Sequence, residues 1–421
     1  MKSFAKHVIV VILGWQVRRL RRRNKFITVG VVGSIGKTSS KFAIAQVLGA
    51  GKRVQWQQGN YNDLATVPLV FFGLQQPGLF NVIGWIRVVA QAEAVVRKPY
   101  PYDVVVVELG VDGPNQISQF KRYLTLDLAV LTAITPEHMQ DFTDLDAVAK
   151  EELSVIQLSK QLLLNVDLVA HEYRSLVPEA VTYGVQDADY VAKDITFTAT
   201  GVGFKVRSEG QTVVSVKHSS ISMSQVYSLT VACAVAYMLG LSQDQIRYGL
   251  NKVRPVSGRL QLLEGILGST IIDDTYNSSP EAAAAALETL YRIDAPQKIA
   301  LLGNMNELGA FSEQAHTQLG QLCDASQIQE LFTLGPDANE FLAAAAEARG
   351  CKVTRCTTPQ QAGEYLAQVI KDKTLVLVKG SQDKVYTEEA IKPILANSSD
   401  QSKLVRQSPH WLKIKATNFK S

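Results

Sequence analysis

The residues best suited to chemistry lie in short segments, and each segment follows a β-rich run. Gly33-Ser34-Ile35-Gly36-Lys37-Thr38-Ser39 follows the run FITVGVV (26–32) and opens a stretch with helical spacing over 37–48. A phosphate-binding loop requires that setting. Glycines let backbone N–H groups turn toward phosphate oxygens, and the helix start adds a favourable dipole. In such a loop Gly33, Ser34 and Gly36 line the phosphates and Lys37 bridges the β- and γ-phosphates. Thr38, with Ser39 close by, offers a hydroxyl to Mg²⁺. The strict eight-residue pattern asks for glycine at position 31, where this chain has Val31, so the shorter GxxGKTS form carries the signal.

Further candidates follow other strand-like runs. Glu108 ends DVVVVE (103–108), and a carboxylate at the C-terminal end of a central parallel strand points into the ligand crevice. Mg²⁺ prefers few carboxylates together with phosphate oxygens, so Glu108 suits a metal near the loop. His138, in Thr135-Pro136-Glu137-His138, comes just after the run 126–133 and can share that crevice. Later, Ser257-Gly258-Arg259 presents a guanidinium from a glycine turn, suited to phosphate. Asp273-Asp274-Thr275-Tyr276-Asn277 joins acids, an aromatic ring and an amide in one loop, suited to ribose and adenine, although an Asx-rich helix cap is the plainer alternative. Lys379-Gly380-Ser381 ends another strand and can hold an anionic group or serve as a simple turn.

The elements that must position these groups alternate strand and helix, which indicates a doubly wound α/β domain with a largely parallel sheet. The fully apolar run 103–108 fits a strand buried on both faces. From 183 to 217, alternating Thr, Val, Phe and Gly suggest a small antiparallel appendage, and 225–239 is an alanine-rich helix. A second, smaller Rossmann-like α/β domain follows, with strands over 270–273, 298–302, 330–334 and 374–378. Its helices are expected over 280–291, 312–325 and 337–349. The expected organisation is an N-terminal hydrophobic and basic helix (1–25), a central phosphate-loop domain (26–255) and a C-terminal domain (256–421).

Length and composition, with 421 residues, 46% hydrophobic and 19% charged, suit two or three globular domains. The net charge of +4 hides an asymmetry, because residues 1–25 carry eight Lys and Arg side chains and no acid. The remainder is mildly acidic, which argues against a nucleic-acid partner or a nucleic-acid motor. Four scattered cysteines have no paired metal spacing and read as free thiols of a reducing cytoplasm. The run VIVVILGW (8–15) is about half of what a membrane span needs, and its charge follows rather than precedes it, unlike a secretory signal. Residues 1–25 therefore read as a helix with two possible settings. It lies on the anionic inner face of a membrane, or it packs on the first domain with a solvated basic tail.

Taken in order, these segments resemble the Mur ligases, which form peptide bonds in peptidoglycan precursors. The likeness is greatest to members that add D-alanyl-D-alanine to a tripeptide precursor. It rests on GSIGKTS (33–39), GNYND…VP (59–68), ELGVDGPNQI (108–117), TPEHMQDF (135–142), SGRLQ (257–261), DDTYNSSP (273–280), LGNMNELG (302–309) with His316, and VKGS (378–381). The resemblance implies an ATP- and Mg²⁺-dependent ligase that binds ATP between its central and C-terminal domains. Such an enzyme converts a peptide carboxylate to an acyl phosphate, which the amine of a dipeptide or amino acid then attacks. It implies that Lys37 neutralises phosphate charge, that Thr38 and Glu108 hold one Mg²⁺ and that His138 helps hold a second. It implies further that Arg259 reaches the ATP phosphates and that Asp274, Tyr276 and Asn277 contact the nucleoside. Asn60, Asn62, Lys379 and Ser381 would meet the peptide and amine substrates.

Three departures qualify the resemblance. Family members carry a UDP-binding domain before the phosphate loop, whereas this loop begins at residue 33, so the acid is bound differently or is already lipid-linked. The family's carbamoylated lysine, a second-metal ligand, falls on Glu152 in ungapped register, with Lys150 nearby. Glu152 is the preferred candidate because it supplies a carboxylate without carbon dioxide. The family's His-Asn pair before the alanine-rich helix reads Ser224-Gln225 here, which bears on adenine recognition. The alternatives to a cell-wall ligase are a folylpolyglutamate-like amino-acid ligase and a nucleotide-binding scaffold without catalysis.

Overall fold

Short β-branched runs without polar alternation are satisfied only by burial on both faces, and the chain builds two sheets from them. The computed structural model describes every residue except 1, 58, 60, 79–80, 112, 137–140, 199–200, 255 and 419–421, and every side chain except those and 2–7 and 418. Two compact units result. Residues 1–195, 203–216 and 223–253 make the first, and 196–202, 217–222 and 254–421 the second.

The first sheet is built on strands Ile27–Val32 (β1), Val54–Gln55 (β2), Val104–Glu108 (β3), Leu128–Leu131 (β4), Leu162–Asn165 (β5), Val181–Gly184 (β6), Tyr190–Thr198 (β7), Gly201–Ser208 (β8) and Gln211–His218 (β9), all in the first unit except 196–198, 201–202 and 217–218 at the ends of β7, β8 and β9. They form one sheet in the order β2-β3-β1-β4-β5-β6-β7-β8-β9. Its helices are Lys2–Arg23 (α1), Lys37–Leu48 (α2), Val67–Phe72 (α3), Val82–Arg97 (α4), Ile117–Phe120 (α5), Leu145–Leu153 (α6), His171–Arg174 (α7), Met223–Met238 (α8) and Gln243–Leu250 (α9). β1 lies in parallel between β3 and β4, with Val31 opposite both Glu108 and Val130. The chain passes from β1 over β3 to β2, returns through β3, and then crosses β1 to reach β4. This reversal leaves a crevice beyond the C-terminal ends of β1, β3 and β4.

The appendage expected over 183–217 is continuous with this sheet rather than separate from it. β8 and β9 are joined by Glu209 and Gly210 alone, with φ of 49° and 74°. A two-residue link with two positive φ values makes a hairpin.

The N-terminal segment is a 22-residue helix integrated into the first unit. Val10, Leu13, Val17 and Leu20 fall on one face of α1 and are buried in the same core as Trp85, Val88, Ala92 and Val96 of α4. Arg21 turns inward, donates to the Thr28 hydroxyl and pairs with Asp127 at 2.7 Å. Part of the basic run thus anchors the helix instead of forming a solvated tail.

The second unit holds Gln261–Glu264 (β10), Thr270–Asp274 (β11), Lys298–Gly303 (β12), Glu330–Leu334 (β13), Val353–Cys356 (β14) and Leu375–Lys379 (β15), in the order β10-β11-β15-β12-β13-β14. Only β10 is antiparallel to its neighbour. Its helices are Pro280–Arg292 (α10), Ser312–Gln321 (α11), Ala343–Ala348 (α12), Pro359–Val369 (α13), Glu388–Ile391 (α14) and Pro409–Asn418 (α15). A five-residue π segment, Ala338–Leu342, precedes α12. β15 enters between β11 and β12, so this sheet has its own switch point, with Asp274 opposite Lys379. All four cysteines are buried free thiols.

Removing a buried contact of α1 should cost far more than removing an exposed one. Leu20→Ala should lower unfolding free energy by about 2–5 kcal/mol, whereas Ile83→Ala, on an exposed part of α4, should stay within about 0.5 kcal/mol. Urea unfolding of the two variants measures the difference; equal effects would mean that α1 is not part of the folded core.

Candidate functional site

In the first unit the crevice is built from three strand ends. After β1 the chain must turn sharply to start α2, and two glycines allow it: Gly33 at φ 122° and Gly36 at φ 83°. A Cβ at Gly33 would stand 2.4 Å from the Thr132 hydroxyl and 2.8 Å from the Ala133 nitrogen, so no other residue fits there. The loop is also tied down. The Ser34 N–H donates to the Ala133 carbonyl at 3.0 Å, and the Thr135 N–H donates to the Ser34 hydroxyl at 2.9 Å. Thr132 donates its hydroxyl to the Ile35 carbonyl at 2.6 Å.

Glu108, at the end of β3, is buried, and two groups converge on it. The Thr38 hydroxyl lies 3.1 and 3.2 Å from its two carboxylate oxygens. The Lys41 ammonium lies 3.0 Å from Oε2, with both side chains almost fully buried. Lys41 stands one turn after Lys37 on α2. Sequence reasoning passed over it because a lysine beyond the loop reads as an ordinary helix residue. Lys37 itself folds back on the loop and donates to the Gly33 and Ser34 carbonyls. Ser39 is half-buried in the first turn of α2. Asn62 lies beside Gly110, two residues past Glu108, where a Cβ on the glycine would meet its amide nitrogen at 2.6 Å.

Two adjacent carboxylates of α6 face inward. Glu152 is buried, and its Oε2 accepts the Gly33 N–H at 2.8 Å, which places a carboxylate directly behind the phosphate loop. Lys150, two residues earlier and about 200° away around the helix, is exposed. Glu151, which sequence reasoning did not single out, accepts the N–H groups of Asn115, Gln116 and Ile117 at 2.5–2.7 Å and so caps the start of α5. His138 and Asn60 lie outside the described residues. Among the described residues no three imidazole, thiolate or carboxylate groups cluster tightly enough to hold a metal by themselves. A hydroxyl and one carboxylate meeting at Thr38 and Glu108 are hard oxygen donors of the kind Mg²⁺ takes alongside phosphate oxygens.

The second unit gathers the other candidates at its own switch point. The Lys379 ammonium pairs with Asp274 Oδ2 at 2.6 Å and donates to the Asn277 carbonyl at 3.0 Å. Asp274 Oδ1 accepts the Leu260 N–H at 3.1 Å. Gly258, at φ 67°, fits closely under Tyr276 and accepts its N–H at 3.0 Å. The exposed Arg259 guanidinium consequently lies 4.3 Å above the Tyr276 ring. The Ser381 hydroxyl donates to the Ser278 carbonyl at 3.1 Å and accepts the Asn306 N–H at 2.9 Å. Lys379 and Ser381 are thus buried and hold the 273–278 loop in place, while Arg259, Tyr276 and Asn277 retain access to solvent. His316 supports the neighbouring loop: its Nε2 accepts the Met305 N–H at 3.0 Å and its Nδ1 faces the Ser312 carbonyl at 2.8 Å. That pairing requires the neutral ring, and burial holds its pKa below the usual range.

Residues 31–236 match the Mur ligase middle domain, and residues 258–382 match the Mur ligase, glutamate ligase domain. The UDP-N-acetylmuramoyl-tripeptide–D-alanyl-D-alanine ligase of Bacillus subtilis is 26% identical over 379 residues, covering 87% of this chain and 75% of its own. The Haemophilus influenzae ligase of the same name is 25% identical, covering 88% and 78%. The crystal structure of MurF ligase from Thermotoga maritima in complex with ADP superposes with a TM-score of 0.74 at 22% identity, over 93% of this chain and 84% of that one.

Asp273 provides a pH test of the loop packing. It is fully buried, one of its oxygens has no hydrogen-bond partner, and burial pushes its pKa up to about 7. A carboxyl protonated in the folded state and ionised in the unfolded one makes the protein lose stability as pH rises from about 4 to about 7. Asp273→Asn should remove most of that decline and be the more stable protein at pH 8. Melting curves at pH 5 and pH 8 should therefore separate for wild type more than for the variant; parallel shifts would contradict a protonated Asp273.

Proposed function

The chain belongs to the Mur ligase family, and from that premise we propose that it is an ATP-dependent, amide-forming ligase of peptidoglycan precursor synthesis. On this reading it activates a peptide carboxylate and joins it to D-alanyl-D-alanine. The observation that carries the reading is the meeting of Thr38 and Glu108 beside a tied-down phosphate loop at the switch point of the first sheet.

The chemistry needs one acid, one nucleotide and one amine. A carboxylate oxygen of the peptide attacks the terminal phosphorus of ATP and ADP departs, leaving an acyl phosphate. The amine then attacks the acyl carbon, loses a proton, and inorganic phosphate leaves. Little of this requires covalent help from the protein, so positioning and charge neutralisation dominate. The N–H groups of the 33–38 loop cradle the phosphates, and Lys37 swings from the loop carbonyls to neutralise them. Thr38 and Glu108 would hold Mg²⁺, which supplies Lewis-acid neutralisation of phosphate charge. The Lys41 ammonium already sits on the same carboxylate and holds its orientation when no metal is bound.

Glu152 is assigned the second-metal role, with His138, in place of a carbamoylated lysine. Its burial behind Gly33 and the exposure of Lys150 support that choice. In the second unit Arg259 is assigned to nucleotide phosphate, and Asp274, Tyr276 and Asn277 to the nucleoside. Asn60 and Asn62 are assigned to the acid substrate. Lys379 and Ser381 position the amine side through the loop they hold. We place the enzyme in the cytoplasm, peripheral to the inner face of the membrane.

Phosphate release from ATP, measured against a panel of peptidoglycan precursors and amine donors, tests the proposal. Release should require both a tripeptide precursor and D-alanyl-D-alanine, and Lys37→Ala or Glu108→Gln should reduce kcat/KM by roughly a hundredfold or more. Stimulation by glutamate and a folate acceptor would favour the amino-acid ligase reading, and no stimulation by any pair would favour a scaffold. For Glu152, the glutamine variant keeps an acceptor for Gly33 N–H but loses the charge. A metal ligand predicts activity lost in both Glu152→Gln and Glu152→Ala and unaffected by removing bicarbonate; near-normal Glu152→Gln activity would reduce the residue to a loop anchor.

A further inference from the structure

The outward faces of α1 and α4 form one apolar surface. The helices run side by side in the same direction. Gln16 donates to the Val89 carbonyl at 3.0 Å, Arg19 to Glu93 at 2.6 Å, and the Tyr100 N–H, just beyond α4, donates to Asn24, just beyond α1, at 3.0 Å. That register sets residues 9–16 of α1 beside residues 82–89, the first half of α4. On α1, Val8, Val11, Ile12 and Trp15 are 37–53% exposed. Beside them on α4, Val82, Ile83 and Ile86 are 64–68% exposed. These seven are among sixteen large hydrophobic residues exposed among the described ones, so the concentration is local. A contiguous apolar patch of this kind marks an interaction surface.

The charge around the patch identifies the partner. Along the same exposed stripe of α1, the apolar residues give way one turn later to Arg18, Arg19, Arg22 and Arg23. Arg22, Arg23, Lys25 and Arg87 are exposed and have no acidic partner among the described residues. Between residues 1 and 92 the only acid is Asp63. The acid nearest the patch, Glu93, is already held by Arg19 and Arg97. The Arg19 guanidinium lies 4.4 Å over the Trp15 ring. Indole and guanidinium side by side suit the boundary between acyl chains and phosphates. An apolar band edged by cations, with its neighbouring acid Glu93 already paired, complements an anionic lipid surface. No described helix is long and apolar enough to cross a membrane, so the contact is on the surface.

We infer that the joint outer face of α1 and α4 docks onto an anionic lipid bilayer, with Val8, Trp15, Ile83 and Ile86 entering the acyl boundary and the arginines meeting lipid phosphates. The inference gives the peripheral location proposed above a surface, and it does not depend on which acid or amine the enzyme uses. Docking of this kind would hold the protein where a lipid-linked acid is presented.

Flotation of the full chain with vesicles of phosphatidylcholine, alone or mixed with phosphatidylglycerol, tests it. Binding should appear with the anionic mixture and weaken as salt rises. Ile83→Asp with Ile86→Asp, both at exposed sites, should reduce it about tenfold or more while melting temperature and turnover of soluble substrates stay unchanged. Arg22→Gln with Arg23→Gln should also reduce it about tenfold and flatten the salt dependence. Lys37→Ala should bind vesicles as wild type does, so a failed ligase assay and a failed docking assay remain distinct. Equal binding to neutral vesicles, binding unaffected by the substitutions, or no binding at low salt would each overturn the inference. Self-association in sedimentation that the aspartate variant abolishes, without vesicle binding, would assign the face to a second copy of the chain instead.

Discussion

A strand buried on both faces has no solvent beside it, so any charge it carries must be placed at its end and partnered there. β3 is four valines followed by Glu108, and the glutamate is tolerated because Thr38 and Lys41 reach it from α2. β11 and β15 repeat the solution with opposite charges, Asp274 and Lys379 meeting at adjacent strand ends. In each sheet a later connection crosses an earlier strand, and the chain opens a crevice at that point. Burial therefore forces the polar groups to the same place where topology leaves room for a ligand.

The buried pairs matter less as sources of stability than as fixed geometry. Removing an ion pair's charges together can be nearly neutral, whereas removing one partner strands the other in a low-dielectric site. Lys41 holds Glu108 in one orientation, and Glu152 holds Gly33 from behind, so the loop is shaped before any nucleotide arrives. Arg406 has a similar role in the second unit, bonding Glu388 together with the carbonyls of Thr275 and Tyr276 and fixing the loop below Arg259. Preorganisation of this kind lowers the ordering cost that binding would otherwise bear.

The N-terminal helix shows how a single segment can serve both core and surface. Its buried stripe of Val10, Leu13, Val17 and Leu20 is the side that folds, and Arg21 joins it by pairing with Asp127. Over residues 8–15 the opposite stripe is as apolar but faces outward. An amphipathic helix of a soluble domain normally sets polar residues there. The departure from that pattern, continued on α4, makes the face a place to look for a partner rather than packing left incomplete.

Much of the fold could be read from residue order because its signals are local: a glycine pair between strand and helix, β-branched runs ending in a charge, and Ser279-Pro280 opening a helix. The phosphate loop, the strand end at Glu108 and the 273–277 loop are legible for the same reason. β10 and β14 escaped because short, half-polar edge strands lack a periodic signature, and α13 was passed over although Thr358-Pro359 caps it. Contacts between segments far apart in sequence were decided by tertiary structure alone. Lys41 on Glu108 spans 67 positions, Glu152 under Gly33 spans 119 and Lys379 on Asp274 spans 105. Whether Glu152 or Lys150 faces the loop is a matter of helix phase against a neighbour, and whether an apolar stripe is core or surface depends on what packs on it. Residue types specify which groups are capable of chemistry; sheet order and helix packing determine which of them meet, because burial and charge pairing are properties of neighbours in space.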